Sequence, residues 1–387
     1  MATRSMRDPW LLRHQITDVL HFHHPNAIDH RYGGYVLQRD ETDGHVYDTR
    51  SRHLVATARM TFVYCVGELI DGPHWCRSGA EHGLAFLRAA HWDEERGGFH
   101  WLLEGREPVD RERHCYGHVF ALFAVAAAAR IGLHGAESEL ERIVDVLESR
   151  FRDGDEPLYL DRCSPSWEHR PDRGQNANMH ACEAVLMAYD ATGRDRYLDR
   201  AAAIADAVTD TLAGRTGGLV WEHYTPAWEP DWDAREDGGG FEPGHQVEWA
   251  KLICQLHTRR ENHDRIEKAR ELFDAAVGAG WDDDHGGFYE RLDRDRQPVR
   301  RSKVGWAVAE AIGAAALLAE HDAEYWSWYD RCWTYAREAL VDDRYGIWYQ
   351  RVDRENERIE PGQGPCFEPG YHPVNNAWIA LNAIAED

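Results

Sequence analysis

Tyr32-Gly33-Gly34-Tyr35 is the first of six turns built from glycine and aromatic residues, and their recurrence decides the fold. The others are Gly97-Gly98-Phe99, the segment from Asp153 to Tyr159, Gly217-Gly218-Leu219, Gly286-Gly287-Phe288 and Tyr345-Gly346-Ile347-Trp348. Starting at Gly34, the steps to Gly98, Asp155, Gly218, Gly287 and Gly346 are 64, 57, 63, 69 and 59 residues. A unit of roughly sixty residues accommodates two helices and a hairpin. The third copy is degenerate, with Gly154-Asp155-Glu156-Pro157 in place of a glycine pair.

Between the turns the pattern predicts twelve helices, over 9–24, 50–71, 74–90, 112–131, 135–151, 175–192, 195–213, 243–259, 262–280, 302–320, 322–341 and 372–385. Apolar residues recur at three and four positions, as in Leu54, Ala58, Phe62, Val63 and Val66, whereas Glu137, Glu139, Glu141, Arg142, Asp145 and Glu148 make 135–151 a solvated face. Even-numbered helices are richer in small and apolar residues (Phe120 to Ala129, Ala307 to Ala319), and odd-numbered ones carry more charge. Even helices are therefore expected inside and odd ones outside. Connections from even to odd helices are short, such as Asp71-Gly72-Pro73, Thr192-Gly193-Arg194 and Glu320-His321-Asp322; those from odd to even are long and hold the glycine turns. The expected architecture is all-α: an (α/α)6 barrel of six helical hairpins with one elaborate rim, forming a single catalytic domain over 1–387. An open solenoid is the alternative.

The 387 residues carry 44 basic against 68 acidic side chains, a formal charge of −24. Such a balance argues against nucleic acid and anionic membranes as partners, since both select for basic patches. The amino-terminal segment carries Arg4, Arg7, Asp8 and Arg13, and no apolar run reaches the roughly 20 residues of a membrane span. A cytoplasmic protein, monomeric or homodimeric, is expected. Lysine occurs only at Lys251, Lys268 and Lys303, so arginine supplies almost all positive charge. That usage fits a salt-rich, halophilic cytoplasm, and a GC-rich genome also produces it. The eight cysteines (Cys65, Cys76, Cys115, Cys163, Cys182, Cys254, Cys332, Cys366) lack any Cys-x-x-Cys and read as buried thiols. The 16 Trp and 16 Tyr suit a cleft that stacks on ring-shaped ligands, although packing accounts for most such rings.

Unusual polar residues gather near the beginnings of the even helices: Arg59, then Tyr116 and His118, Asn176 and His180, His245 and Glu248, Trp306 and Glu310, and His372. If the inner helices run parallel, these positions converge on one mouth, where six helix amino termini add partial positive charge. Pro243-Gly244-His245-Gln246-Val247-Glu248-Trp249 sets a histidine and a carboxylate three residues apart on one helical face. A carboxylate that holds an imidazole fixes its tautomer and raises its basicity, as a general base near neutrality requires. His372, immediately before Pro373, is expected at a helix boundary and pointing off its end. His180, within Asn176-Ala177-Asn178-Met179-His180, is either a binding or a packing residue. Arg59 lies in the apolar run Ala56 to Phe62 and needs an anion or several hydroxyl partners.

Other elements are weaker. His21-Phe22-His23-His24 lies on an outer helix with no cluster to complete a metal site, Asp282-Asp283-Asp284 reads as a solvated turn, and Gly238-Gly239-Gly240 does not follow a strand of a βαβ unit. No metal and no cofactor are expected. The segment from about 223 to 240, with Trp228 and Trp232, reads as a mobile flap over the mouth.

Arg59-Met60, Asn176-x-Asn178-Met179-His180-x-x-Glu183, Gly244-His245-x-x-Glu248-Trp249, Trp306-x-x-x-Glu310 and His372-Pro373 stand in the order in which they occur in the N-acylglucosamine 2-epimerase superfamily. The chain resembles that superfamily, which also includes mannose isomerase, sulfoquinovose isomerase and cellobiose 2-epimerase, over essentially its whole length. The resemblance implies a metal-free (α/α)6-barrel enzyme that opens a pyranose and moves a proton at C2 through a cis-enediolate. It further implies that His245 and His372 are the acid/base pair, and that Arg59 and His180 hold the oxygens on which charge develops. Glu248 would orient His245, while Glu310, Trp249, Trp306, Tyr116 and Asn176 would line the sugar pocket. The resulting expectation is an aldose–ketose isomerase converting mannose to fructose. A 2-epimerase of mannose, glucose or an N-acyl sugar is the alternative, and a glycoside hydrolase on the same barrel is the rival class.

Overall fold

The computed structural model describes residues 5–233, 239–360 and 368–385. Among them twelve α-helices alternate with the glycine turns: α1 (Pro9–His23), α2 (Leu54–Leu69), α3 (Cys76–Phe86), α4 (Cys115–Arg130), α5 (Ala136–Val146), α6 (Asn176–Thr192), α7 (Asp195–Asp206), α8 (Pro243–Arg259), α9 (His263–Gly280), α10 (Gly305–Ala319), α11 (Tyr325–Tyr335) and α12 (Tyr371–Ala385). Each even helix packs on the next even one, and α12 returns to α2, so the inner ring closes. The outer helices lean on it, α1 against α12 and α2, α5 against α4, and α9 against α8. This is an (α/α)6 barrel rather than a solenoid.

The division into two rings follows from composition. In α4 nearly every residue from Cys115 to Ala128 is buried, while α5 buries only Ala136, Glu139, Leu140 and Ile143. An apolar stripe suffices for an outer helix, whereas an inner one is covered all round. Burying a Phe120 or an Ile312 contributes roughly 1.5–3 kcal/mol, and alanines between them let the helices approach.

Each glycine turn reverses the chain after an outer helix. Gly97 and Gly98 adopt φ of 73° and 75°, which only glycine holds without strain, and this reversal lets Trp92 pair with Phe99 across it. The same bridge recurs as Ile28 with Tyr35, Arg152 with Tyr159, Trp281 with Phe288 and Val341 with Trp348. In the degenerate third copy Gly154, at φ 60°, does the work.

Three inner helices begin later than their periodicity predicts. Residues 50–53 contain a strand at Ser51–His53, and strands at Arg113–His114 and Lys303–Val304 precede α4 and α10. These strands are drawn out of the helices by pairing: Ser51–His53 joins Leu102–Glu104, Arg113–His114 joins Arg162–Cys163, Arg173–Gly174 joins His223–Tyr224, and Lys303–Val304 joins Arg351–Val352. The strand entering an inner helix thus bonds to the hairpin of the following unit and stitches neighbouring units along one rim.

The seven described cysteines are all buried and free; Cys366 lies outside the described residues. No helix of the described residues is long and apolar enough to cross a membrane. The His21–His24 run is structural, with His23 buried and His24 stacked on Trp75 at 3.8 Å. Asp282 is not a solvated turn residue but a buried one, paired with Arg354 at 3.0 Å and Lys303 at 3.5 Å. The expected flap is anchored as far as residue 233: Trp228 is buried with its Nε1–H donated to Asp153 at 2.9 Å, and Trp232 packs on Trp221. Residues 234–238, including Gly238, lie outside the described residues.

Candidate active site

The elaborate rim surrounds a cavity of about 1010 Å³, within the upper range for small-ligand sites. Arg59, Tyr116, Asn176, His180, His245, Glu248, Trp306 and His372 line it, so eight of the eleven expected residues converge.

His245 enters on the first turn of α8, after Pro243 has opened the helix. Its Nδ1–H donates to Glu222 at 2.9 Å, and Glu242 lies 3.5 Å away. Glu222 also accepts from the Gln175 amide at 2.9 Å, and the Gln175 carbonyl accepts from Trp249 Nε1–H at 2.8 Å. The buffer around this imidazole is therefore a chain from α8 through α6 to the hairpin after α7. Burial disfavours the imidazolium, but the charges of Glu222 and Glu242 and the hydrogen bond to Glu222 outweigh it, raising His245 from 6.5 to about 10.

His372 sits on the first turn of α12, one residue inside the helix rather than off its end. Its Nδ1–H donates to buried Glu310 at 2.6 Å, and Asn376 donates to the same carboxylate oxygen at 2.8 Å. The Nε2 of His372 faces the cavity, where Arg59 Nη2 stands 3.4 Å away and Glu368 3.6 Å away. Arg59 also donates to Glu368 at 3.1 Å and to the Tyr116 hydroxyl at 2.9 Å, with Phe120 against its guanidinium plane. Burial opposes its charge, and Tyr116 and Glu368 more than offset that, so its pKa rises. Trp306 lies beside both histidines, with ring centroids 4.9 Å from His245 and 5.7 Å from His372. It offers a sugar an apolar face flanked by two proton carriers.

His180 gives Nδ1–H to Glu183 at 3.1 Å, and burial, only partly offset by Glu183, lowers it to about 4. With Nδ1 so held, Nε2 is left as a hydrogen-bond acceptor, and the residue lines the cavity. Asn176 lines the same cavity, and its buried Oδ1 has no hydrogen-bond partner among the described residues.

Four expectations are corrected by geometry. Glu248 does not orient His245, because Glu222 occupies that position; Glu248 instead lies 3.7 Å from His180 and 3.8 Å from Lys251. Glu310 and Trp249 do not line the pocket: Glu310 holds His372 and Trp249 holds Gln175. His118 is not at the mouth either. Its Nε2 accepts the Phe99 N–H at 2.9 Å and its Nδ1–H donates to the His114 carbonyl at 2.8 Å. Asn178 does the same for Tyr159 and Gln246 for Val220, each accepting the N–H at 2.7 and 2.9 Å. His118 therefore belongs to a set that ties glycine turns to inner helices.

Glu222, Gln175 and Glu242 were not singled out by the sequence. Glu222 stands two residues beyond Val220, and Asp161 and Trp101 stand two beyond Tyr159 and Phe99; all three line the cavity. The glycine turn thus has its own inward-facing register, a signal readable in the repeat.

Among the described residues three groups could gather a metal ion: His180, Glu183 and Glu248; Glu222, Glu242 and His245; and Glu248, Glu310 and His372. In each, a histidine nitrogen that a metal would require already donates to a carboxylate. The cavity's arginines are committed too: Arg162 pairs with Asp172, Arg173 with Asp153, Arg291 with Glu242 and Arg59 with Glu368.

Residues 33–375 match the family model described as N-acylglucosamine 2-epimerase. The chain is 35% identical to D-mannose isomerase of Marinomonas mediterranea over 384 residues, covering 96% of this chain and 97% of that protein. It is 23% identical over 388 residues to cellobiose 2-epimerase of Ruminococcus albus, covering 93% and 95%. A crystal structure of D-mannose isomerase superposes with a TM-score of 0.94 at 35% identity over 99% of each chain. By its ordered motifs, its closed barrel and this match along most of its length, the chain belongs to the N-acylglucosamine 2-epimerase family.

Proposed function

We propose that the protein is a cofactor-independent aldose–ketose isomerase that converts D-mannose to D-fructose by proton transfer at C2 through a cis-enediolate. One observation carries the reading: two imidazoles face one cavity, each fixed through Nδ1 by its own buried carboxylate, Glu222 or Glu310. Such fixed donor–acceptor pairs suit a carbon acid, whose proton must be taken and returned at defined points.

The two histidines are unequal. His245, raised to about 10, is an imidazolium at neutral pH and serves as the acid that protonates the ring oxygen as the pyranose opens, recovering a proton from the anomeric hydroxyl as the aldehyde forms. His372 takes the C2 proton on Nε2 and returns it to C1 while the O2 hydroxyl proton passes to O1, with Arg59 stabilising the enediolate oxygens. A single base working with a fixed acid performs a 1,2 shift, whereas 2-epimerisation needs a base on each face of C2. This asymmetry favours isomerisation, as does the higher identity to D-mannose isomerase.

The pairing of every arginine named above with a carboxylate supports a free sugar over a sugar phosphate, which would call for uncommitted cations. It also weakens the hydrolase reading, which needs two carboxylates: of the cavity's glutamates, Glu222, Glu242 and Glu368 already hold His245, Arg291 and Arg59, and only Glu248 is uncommitted. We place the enzyme in a salt-rich cytoplasm, as one catalytic domain acting alone or as a homodimer.

Incubation in salt and heavy water with mannose, fructose, glucose and N-acetylglucosamine tests the reading. Mannose and fructose should interconvert with deuterium entering C1 of the ketose. Mannose–glucose interconversion without fructose would establish the epimerase instead. Release of sugar from a glycoside without exchange would sink both.

A further inference from the structure

Lys251, one of three lysines in the chain, is fully buried beneath the cavity among three glutamates of the inner ring. Its Nζ lies 2.5 Å from Glu310, 3.2 Å from Glu183 and 3.8 Å from Glu248. The first two carboxylates are otherwise well supplied. Glu310 accepts from His372 and Asn376; Glu183 accepts from His180, from the Tyr371 hydroxyl at 2.5 Å and from Asn375 at 2.9 Å. Glu248 is as deeply buried as they are, yet neither of its oxygens accepts a hydrogen bond from a described residue. It nevertheless forms part of the cavity floor.

One ammonium cannot neutralise three carboxylates, and a buried carboxylate without donors is the costliest of them to ionise. We propose that Lys251 is a positioning residue whose charge is shared by Glu183 and Glu310, leaving Glu248 a neutral carboxylic acid that offers its O–H to the sugar. The groups facing Glu248 are Arg59 from α2, Tyr116 from α4, His180 and Glu183 from α6, His245 and Lys251 from α8, Glu310 from α10, and Tyr371 and His372 from α12. Burial, together with the charges of Glu310 and Glu183, places Glu248 well above the usual carboxylate range against the pull of Lys251 and His245. In Glu310 and Glu183 burial acts in the same direction, but Lys251 and the bonded histidines prevail and both stay low.

The consequence for the reaction rests on the isomerase reading. An ionised Glu248 would add a negative charge under an intermediate that itself becomes negative. A neutral one removes that repulsion and supplies a hydrogen bond that strengthens as charge develops, as a carboxylic acid kept neutral by its surroundings can do. Lys251 acts through Glu183 and Glu310 on His180 and His372 and touches no reacting atom.

The protonation state is measurable on sugar-free protein by infrared difference spectroscopy, so its outcome is independent of the deuterium-exchange assay. Subtracting the spectrum of Glu248→Gln, a neutral isostere, from that of the wild type at about pH 7 should reveal a carbonyl band of a protonated carboxylic acid that shifts in heavy water. Loss of ionised-carboxylate bands alone would overturn the proposal. Lys251→Met should gain one further protonated carboxyl band, and an unchanged spectrum would remove Lys251 from the charge balance. Should Lys251→Met fail to fold, Lys251→Arg, which retains the charge, is expected to keep the wild-type band; its disappearance or a gain of a second band would refute the assignment.

Discussion

Replacing Glu222 by Gln removes a charge but keeps an amide of the same size beside His245, and so isolates what the carboxylate does to the imidazole. The rise of His245 from 6.5 to about 10 corresponds to about 5 kcal/mol of preference for the charged ring. Glu222 supplies the largest attraction and also the hydrogen bond, with Glu242 second. Assigning it roughly 3 kcal/mol moves the imidazole down by about two pH units, to near 8. With the charged ring as the proposed acid, kcat/KM should be flat from about pH 7 to 9 in the wild type and fall roughly tenfold over that range in Glu222→Gln. The assay is mannose-to-fructose conversion across pH, with folding followed by circular dichroism. Stability follows the same sign. A histidine whose folded value is raised contributes stability that is complete below 6.5 and is lost as pH climbs to about 10, and the variant should lose that advantage. A variant with reduced rate but an unmoved alkaline limb would refute the assignment of His245 as a charged acid held by Glu222.

The remaining predictions concern the corrected residues. His118→Asn should leave kcat within about twofold and lower stability by about 1 kcal/mol, read from urea unfolding, since the ring ties the Phe99 N–H to α4; a hundredfold loss of activity at intact stability would return His118 to the site. Gln246→Leu should cost about 2–4 kcal/mol by the same measurement, because the Val220 N–H and carbonyl both lose a buried partner. Prolonged dialysis against a chelator should leave activity unchanged, and loss restored by one divalent ion would show that a His–carboxylate group such as Glu222, Glu242 and His245 holds metal.

Fold and site were legible to different depths. The six turns gave the period, and connection lengths separated an elaborate rim from a plain one, because glycine at positive φ and short helical hairpins are local properties written in sequence. Helix starts at 54, 115 and 305 escape the periodicity, since strands such as Ser51–His53 and Arg113–His114 exist only through pairing with the next unit. The same limit governs the site. His245, His372 and Arg59 announce themselves as polar groups in apolar helices. Their partners are chosen by neighbours: Glu222, twenty-three residues before His245, reaches it, while Glu248 on the same helix does not. Spacing on one helix reports which residues share a face, not which face a loop will supply with a carboxylate.

The seam of the barrel lies between α12 and α2, joining the final helix to the first inner one. His372 sits on one side of it and Arg59 on the other, 3.4 Å apart. Arg59 and His372 are 313 residues apart in sequence, so the inner ring closes there at a large loss of chain entropy. Turnover is thereby a gauge of closure. A molecule with five hairpins packed and α12 unseated keeps most of its helix signal but lacks the proposed base and its Arg59 partner, so thermal inactivation should precede the loss of helicity whenever the seam opens first.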